Sequence, residues 1–98
     1  MNTHTAIISV GSNMGDKEGN CRKGIGSLRD SGKAILVKAS RFYRTSPVDY
    51  LDQEWFVNAA VQIETLLDPL DLLEFLQTIQ QQAGRTKGGI RFGPRVLD

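Results

Sequence analysis

The sequence is poor in the residues that build disulfide bonds and zinc sites, with one cysteine and one histidine among 98 residues. Cys21 has no partner for an internal disulfide bond, which argues against a secreted disulfide scaffold and favours a reducing, cytoplasmic environment. Cys21 and His4 are too few for a Cys/His zinc site. The sequence offers no Ser-His-Asp set and no nucleophilic Cys-His pair, because its single histidine, His4, lies in the N-terminal tail. No apolar run approaches the roughly 20 residues that span a bilayer, and the N-terminus lacks the layout of a signal peptide. We therefore expect no membrane segment.

An excess of charge of one sign is also lacking. Twelve Lys and Arg residues against eleven Asp and Glu residues give a net charge of +1, which excludes a wholly basic nucleic-acid binder. Hydrophobic residues make up 40% and charged residues 23% of the chain, as in ordinary globular domains. Because a chain of this length has room for one hydrophobic core, we expect a single domain over 1–98.

The hydrophobic pattern predicts five elements in the order β-α-β-β-α. Runs rich in β-branched residues indicate strands, and apolar residues at intervals of three and four indicate helices. This order begins the ferredoxin-like β-α-β-β-α-β sandwich, which is an α+β fold. The predicted strands are 5–10, 34–43 and 55–65, and the predicted helices are 16–31 and 68–84, with a loop at 44–54.

Both predicted helices have recognisable ends. Asp16 and Asp68 stand where N-caps are expected, and Pro69 follows as a first helical residue. Gly32 and Gly84 stand where the helices end. The apolar stripes are Cys21, Ile25 and Leu28 in the first helix and Leu72, Leu73, Leu76, Ile79 and Ala83 in the second.

The last core strand of the ferredoxin-like sandwich is missing from these elements. Residues 96–98 look like its beginning, so we expect the fold to be truncated before or within that strand. In this arrangement the last strand pairs with the first. Residues 5–10 would then present an open apolar edge, through which we expect homo-association.

Residues 85–98 contain three glycines, one proline and four cations, which predicts a mobile basic loop. No acid separates Arg85, Lys87, Arg91 and Arg95. Arginine forks suit phosphate oxygens, and a cationic loop suits a polyphosphate. A solvated basic tail explains the same composition, and both interpretations stay open. The loop is not a Walker A sequence.

Three further positions have both a functional and a structural interpretation. Gly-Ser-Asn at 11–13 either presents N–H groups to an anion or simply ends the first strand. Phe56 and Asn58 share one strand face. Their ring and amide could bind a flat heterocycle, or Phe56 could belong to the core while Asn58 is an exterior polar residue. The local pattern favours the structural interpretation in both cases. Asp98 is a single candidate ligand for Mg²⁺.

Four segments together resemble one enzyme family. They are V-G-S-N at 10–13, F-Y-R-T-S-P-V at 42–48, F-V-N-A-A-V at 56–61 and G-R…R-F-G-P-R-V-L-D within 84–98. In this order and spacing they resemble 6-hydroxymethyl-7,8-dihydropterin pyrophosphokinase of folate biosynthesis, over essentially the whole chain. The resemblance implies an enzyme that transfers diphosphate from ATP to the hydroxymethyl group of the pterin and releases AMP, with two Mg²⁺ ions.

The resemblance also implies roles for individual residues. Phe56 matches the aromatic residue that stacks on the pterin, and Asn58 matches the amide that hydrogen-bonds its edge. Phe92 matches a position, commonly tryptophan, that closes over the pterin. The expected site residues are Thr45, Pro47, Val48, Phe56, Asn58 and Phe92 for the pterin; Arg85 and Arg95 for catalysis and ATP; Gln80 for ATP; Asp98 for the metal; and, from the basic loop, Lys87 and Arg91 as further ATP candidates.

The sequence departs from the family pattern in several places. Ser46 stands where the family often has proline, and Gln80 stands where some members have glutamate. The chain ends at Asp98, the first acid of a D-L-D magnesium pair. Because one carboxylate cannot hold two Mg²⁺ ions in octahedral geometry, we expect these 98 residues alone to have little or no activity.

Two other functions compete with this enzyme. A small-molecule-binding regulatory module on the same scaffold would bind a ligand without needing the arginine loop. An RNA-binding domain of this topology would need sheet aromatics in a K/R-G-F/Y-type pattern, which is absent. We therefore expect ATP and the pterin as partners, and neither nucleic acid nor a membrane.

Overall fold

One antiparallel sheet and two helices form the described part of the chain, so the predicted α+β class is confirmed. The computed structural model describes residues 3–45, 55–84 and 91–94. The elements are β1 (His4–Ser12), α1 (Lys17–Asp30), β2 (Ala34–Ala39), β3 (Tyr43–Thr45), β4 (Phe56–Thr65), α2 (Pro69–Gly84) and β5 (Arg91–Pro94). The strand order is β2-β4-β1-β5, and β3 also pairs with β4.

Both helices pack on one face of the sheet. From Ile8 to Ser12 in β1 and from Ala59 to Thr65 in β4, every second residue points to that face and is buried, as the period of two in a strand requires. Removing these apolar side chains from water is the main force that holds the layers together. The core consists of Ile8, Val10, Cys21, Leu28, Ala34, Val61, Ile63, Leu72, Leu76 and Ile79. The open face carries the remaining residues of β4, all of them half-buried.

The two predicted helices are confirmed, together with their N-caps; the C-cap of α1 is Ser31, and the predicted Gly32 follows it. The Asp16 side chain accepts a hydrogen bond from the Gly19 backbone N–H, 3.1 Å away. The Asp68 carboxylate accepts one from the Asp71 backbone N–H, 2.9 Å away. The prediction for Leu73 was wrong, because 42% of it is exposed at the margin of the stripe. No helix in the described ranges is long and apolar enough to cross a membrane.

The predicted place of Ala83 in the apolar stripe of α2 lies outside the described side chains.

The third predicted strand is confirmed to within one residue, since β4 starts at Phe56.

The second predicted strand, 34–43, was wrong in its extent. β2 ends at Ala39, and a separate strand, β3, begins at Tyr43. Ser40 marks the break, because its hydroxyl accepts the Ala60 backbone N–H at 2.8 Å in place of a carbonyl. A shift of register within β2 lies between Leu36 and Lys38. Side-chain hydrogen bonds of this kind compete with the ladder.

The first predicted strand and the basic loop also need correction. β1 continues through Ser12 instead of ending at Val10, because it pairs with β4 as far as Ser12. The prediction of a loop throughout 85–98 was wrong for Arg91–Pro94, which form β5 against β1. An edge strand needs only backbone pairing and tolerates a terminal proline. The composition of residues 91–94 therefore did not indicate a strand.

β5 changes the prediction of an open strand edge. It covers β1 from Ile8 to Gly11, so the expected open edge of 5–10 was wrong for that part. In the described residues His4–Ile7 pair with β4 alone. Homo-association through this shorter edge stays a prediction.

Two glycines near the end of α1 should respond to alanine with opposite signs. Gly32 has φ +75°, where an L side chain is strained. A Cβ on Gly26, inside α1, would approach only Arg29 Nη2, at an ordinary 3.7 Å. We expect Gly32→Ala to destabilise and Gly26→Ala to stabilise the protein, each by about 1 kcal/mol, in urea unfolding. Equal signs for the two variants would contradict the conformations described.

Candidate functional site

Four strand ends meet at one end of the sheet. β1 and β3 finish there, while β4 and β5 start there, as the antiparallel pairings require. One cross-strand row runs from Tyr43 through Asn58 and Gly11 to Arg91. Directly opposite residues of an antiparallel pair lie on the same face. This end of the open face therefore collects residues from distant parts of the chain.

The amide of Asn58 is held from both of its neighbouring strands. Its Nδ2 donates a hydrogen bond to Thr45 Oγ1, 2.6 Å away. Its Oδ1 lies over Gly11, only 2.6 Å from where a Cβ on that glycine would stand. The structure thus joins two of the residues expected to bind the pterin, Thr45 and Asn58, and adds Gly11 to them.

Phe56 lies next to this amide on the same face. It pairs directly with Thr45 in the β3–β4 ladder and is half-buried. Two residues along a strand correspond to roughly 7 Å. At this spacing a flat ligand that stacks on the Phe56 ring can hydrogen-bond the Asn58 amide with its edge. This arrangement suits a flat, hydrogen-bonding heterocycle better than a core role for Phe56, because no helix among the described elements covers the open face.

The loop between β1 and α1 is fixed by side chains. Asn20 Nδ2 donates to the Met14 carbonyl at 2.9 Å and to Ser12 Oγ at 3.2 Å. Ser12 Oγ donates to the same carbonyl at 3.3 Å. Ser12 is buried, and these contacts give its hydroxyl a structural role at the end of β1.

The buried thiol behind β4 is not suited to nucleophilic chemistry. Cys21 Sγ donates to the Val57 carbonyl, 3.4 Å away. Burial, with a smaller contribution from the charge of Glu18, raises the pKa of Cys21 to about 11. Since the thiolate is the nucleophile, Cys21 stays protonated and unreactive near neutral pH.

The remaining expected site residues are placed in part. Arg91 pairs with Gly11 and belongs to the row of Asn58, whereas Phe92 pairs with the buried Val10. Gln80 is half-buried in α2, on the helix-covered side of the sheet. Pro47, Val48, Arg85, Lys87, Arg95 and Asp98 lie outside the described residues. Within the described ranges no three His, Cys, Asp or Glu side chains are grouped to hold a metal.

Two cavities adjoin these elements without coinciding with the open-face residues. One, of about 270 Å³, is lined by Lys17, Arg44, Trp55 and Val57. A larger groove, of about 590 Å³ and lined mainly by apolar side chains, lies between the first half of β1 and the start of α2. Neither cavity is lined by Phe56 or Asn58.

Fold and site define an α+β protein whose sheet presents an aromatic ring and an oriented amide on its open face. A sequence profile of the 7,8-dihydro-6-hydroxymethylpterin-pyrophosphokinase family matches residues 7–98. The chain belongs to this family.

Curated relatives agree with this assignment. The chain is 43% identical to a 2-amino-4-hydroxy-6-hydroxymethyldihydropteridine pyrophosphokinase of Bacillus subtilis, over 95% of this chain and 55% of that protein. It is 41% identical to the protein of that name from Methylorubrum extorquens, over 95% of this chain and 58% of the relative. A mitochondrial folate synthesis bifunctional protein of Arabidopsis thaliana is 43% identical over 97% of this chain and 17% of its own length. The chain thus spans about half the length of the two single-function relatives.

A solved structure supports the fold alone. A dinuclear metal-binding peptidase of the M20 family from Bacillus subtilis superposes with a TM-score of 0.59 over 94% of this chain and 25% of that one. The sequence identity is 9%. At that identity the likeness concerns the backbone arrangement and carries nothing about chemistry.

Sequence reasoning missed the contact between Gly11 and Asn58. The Gly-Ser-Asn segment was a candidate anion site or strand end, and neither interpretation involves Asn58. The contact arises only when β1 and β4 pair in the observed register. No local signal in either segment reveals it, because the two residues are far apart in sequence.

The raised pKa of Cys21 predicts a loss of stability in alkali. Below about pH 9 both folded and unfolded chains keep the thiol proton; as the pH rises from 9 towards 11 only the unfolded chain loses it. The free energy of unfolding should fall over this range by on the order of 2 kcal/mol more than in Cys21→Ala. Urea unfolding of both proteins at pH 7, 9 and 10.5 tests this. Parallel pH curves would contradict it.

Proposed function

We propose that the whole protein transfers diphosphate from ATP to the hydroxymethyl group of 6-hydroxymethyl-7,8-dihydropterin in folate biosynthesis, releasing AMP. Membership of the family supports the reaction class. The observation that carries the assignment of a site is the Asn58 amide, hydrogen-bonded to Thr45 beside the Phe56 ring. We assign residues 1–98 to a single domain of this kind, with pterin recognition as its described part.

The chemistry of the amide fits the edge of a pterin. The pyrimidinone edge of a pterin presents N–H donors and a carbonyl acceptor side by side. Asn58 has two N–H donors and one carbonyl oxygen, and one of those donors is engaged by Thr45. The second Nδ2 hydrogen and Oδ1 are the groups offered to the ligand, while Phe56 supplies a stacking surface. Pro47 and Val48 are proposed as further pterin contacts. Phe92 is proposed as well, although it pairs with the core residue Val10, so its contact with a pterin on the open face would have to be made around the edge strand β5.

We also propose the ferredoxin-like arrangement for this domain. The order β2-β4-β1-β5 and the two helices on one face support it. In this assignment β5 stands in the place of the last core strand beside β1, and β3 is an addition at the end of β4.

The proposed reaction breaks one phosphoanhydride bond. The hydroxymethyl oxygen attacks the β-phosphorus of ATP and its proton is released to solvent, the bond from that phosphorus to the oxygen bridging it to the α-phosphorus breaks, and AMP leaves with that oxygen. Charge on the phosphates is best stabilised by fixed cations. We propose Arg85 and Arg95 for this role, with Lys87, Arg91 and Gln80 as further ATP contacts. Mg²⁺, for which Asp98 is the proposed ligand in this chain, neutralises phosphate charge when bound.

Substitutions on the open face test pterin recognition. In the whole protein, Asn58→Ala should weaken binding of 6-hydroxymethyl-7,8-dihydropterin about 10- to 100-fold, since a specific polar contact is lost. Phe56→Ala should also weaken it, and Phe56→Tyr should retain stacking. Calorimetric titration measures each dissociation constant.

The matched control for this test is Gln62→Ala. Gln62 is a half-buried amide on the same face of β4, four residues from Asn58 and away from the strand ends. Its removal should leave pterin affinity unchanged. Equal losses for Gln62→Ala and Asn58→Ala, or no loss for Asn58→Ala, would refute the proposed site.

Arginine substitutions separate the enzyme from a regulatory module. In the whole protein, Arg85→Ala and Arg95→Ala should each lower the rate of AMP formation at least about 100-fold, since charge on the transferred group loses a fixed partner. Pterin affinity should stay within about twofold, because the proposed pterin contacts Phe56 and Asn58 lie on the sheet and not in the basic segment. A protein that binds the pterin but forms no AMP even before substitution would favour the regulatory module.

A further inference from the structure

We infer that Gly11 is a positioning residue for the ligand-binding amide: a side chain at this place in β1 would displace Asn58 from the orientation in which it meets the ring system of the substrate. The inference rests on the proposed function for the identity of the ligand. The claim that Gly11 positions the Asn58 amide rests only on the distances between these two residues.

The space beside Gly11 is occupied by the end of the Asn58 side chain. A Cβ at Gly11 would lie 2.6 Å from Asn58 Oδ1 and 3.6 Å from its Cγ. Apart from these two atoms the nearest is the Val57 carbonyl oxygen, at an ordinary 3.8 Å. The conflict therefore concerns one side chain and not the backbone of β4.

The backbone conformation of Gly11 does not itself require glycine. Among the described residues only Gly15 and Gly32 have positive φ, so Gly11 has an extended conformation that alanine adopts. Strand positions ordinarily disfavour glycine, because it adds conformational entropy to the unfolded chain. The close approach of Asn58 is therefore the physical reason that the structure gives for glycine at this position.

Thr45 and Gly11 together fix which way the amide faces. The terminal torsion of asparagine is broad, so a single contact would leave the amide free to rotate. The bond from Nδ2 to Thr45 Oγ1 holds one end, and the absent Cβ of Gly11 makes room for the other. A methyl group at Gly11 would push Oδ1 away, and the amide would leave Thr45 or turn from the ligand. Because only a side-chain end must move, we expect misplacement of the amide rather than unfolding.

The test compares glycine-to-alanine changes in the whole protein. Gly11→Ala should weaken binding of 6-hydroxymethyl-7,8-dihydropterin at least about tenfold, the effect of one misplaced hydrogen bond. Gly26→Ala, which adds a methyl group to α1 without a close contact, should leave the dissociation constant unchanged. Unaltered affinity in Gly11→Ala would overturn the inference.

A double substitution shows whether Gly11 acts through Asn58. In the Asn58→Ala background the two conflicting atoms are gone, so adding Gly11→Ala should change pterin affinity by less than about twofold. A purely structural role for Gly11 would instead lower affinity by the same factor in both backgrounds, which would overturn the inference.

A spectroscopic measurement separates failure of the inference from failure of the proposed function. The side-chain NH₂ resonances of Asn58, assigned through their absence in Asn58→Ala, should shift in Gly11→Ala without ligand and stay in place in Gly26→Ala. If the wild-type protein binds no pterin, the proposed function fails, but a shift of these resonances still supports the positioning of Asn58 by Gly11. Unshifted Asn58 resonances in Gly11→Ala overturn the inference whatever the ligand is.

Discussion

The pairing of β1 with β4 is the constraint on which both faces of the sheet depend. It runs without interruption from His4 opposite Thr65 to Ser12 opposite Val57. Because side chains alternate along a strand, a slip of one residue would move every side chain of β4 to the other face. The same slip would bring Asn58 under the helices and separate it from Gly11. Core packing therefore selects the register, and that register places Asn58 beside Gly11 as a consequence.

Polar contacts fix the far end of this ladder as well. Thr65 Oγ1 donates to the Lys33 carbonyl at 2.6 Å and accepts the Leu67 backbone N–H at 3.1 Å. Thr65 is buried, so breaking these bonds would leave a polar group unsatisfied away from water. They join the connection before β2 to the connection before α2. β4 is thus held at its C-terminal end by backbone groups from two connections, while its N-terminal end carries the Asn58 amide on the open face.

The sequence predicts best the elements whose signals are local. α2 has a capping aspartate, a first-turn proline and an apolar stripe, and β4 alternates over its whole length, so both are predicted almost to the residue. The break at Ser40 and the strand β5 are not predictable in this way. The first depends on a hydroxyl that accepts a hydrogen bond from a residue of another strand, and the second on backbone pairing that composition does not encode. The Gly11–Asn58 contact has the same origin, because it exists only once the register is set.

In the proposed pterin site, Phe56 and Asn58 discriminate between ligands in different ways. Stacking depends on area and tolerates many flat rings. A fixed amide tolerates fewer ligands, because a ligand that lacks the matching donor or acceptor leaves a polar group unpaired. Sites built around such hydrogen bonds therefore reject poorly matched ligands strongly. That selectivity requires the amide to stay in one orientation, since a freely rotating amide could present a donor or an acceptor at either position. In the proposed site, the selectivity for the ligand therefore comes from Asn58, which is held between the Thr45 hydroxyl and Gly11.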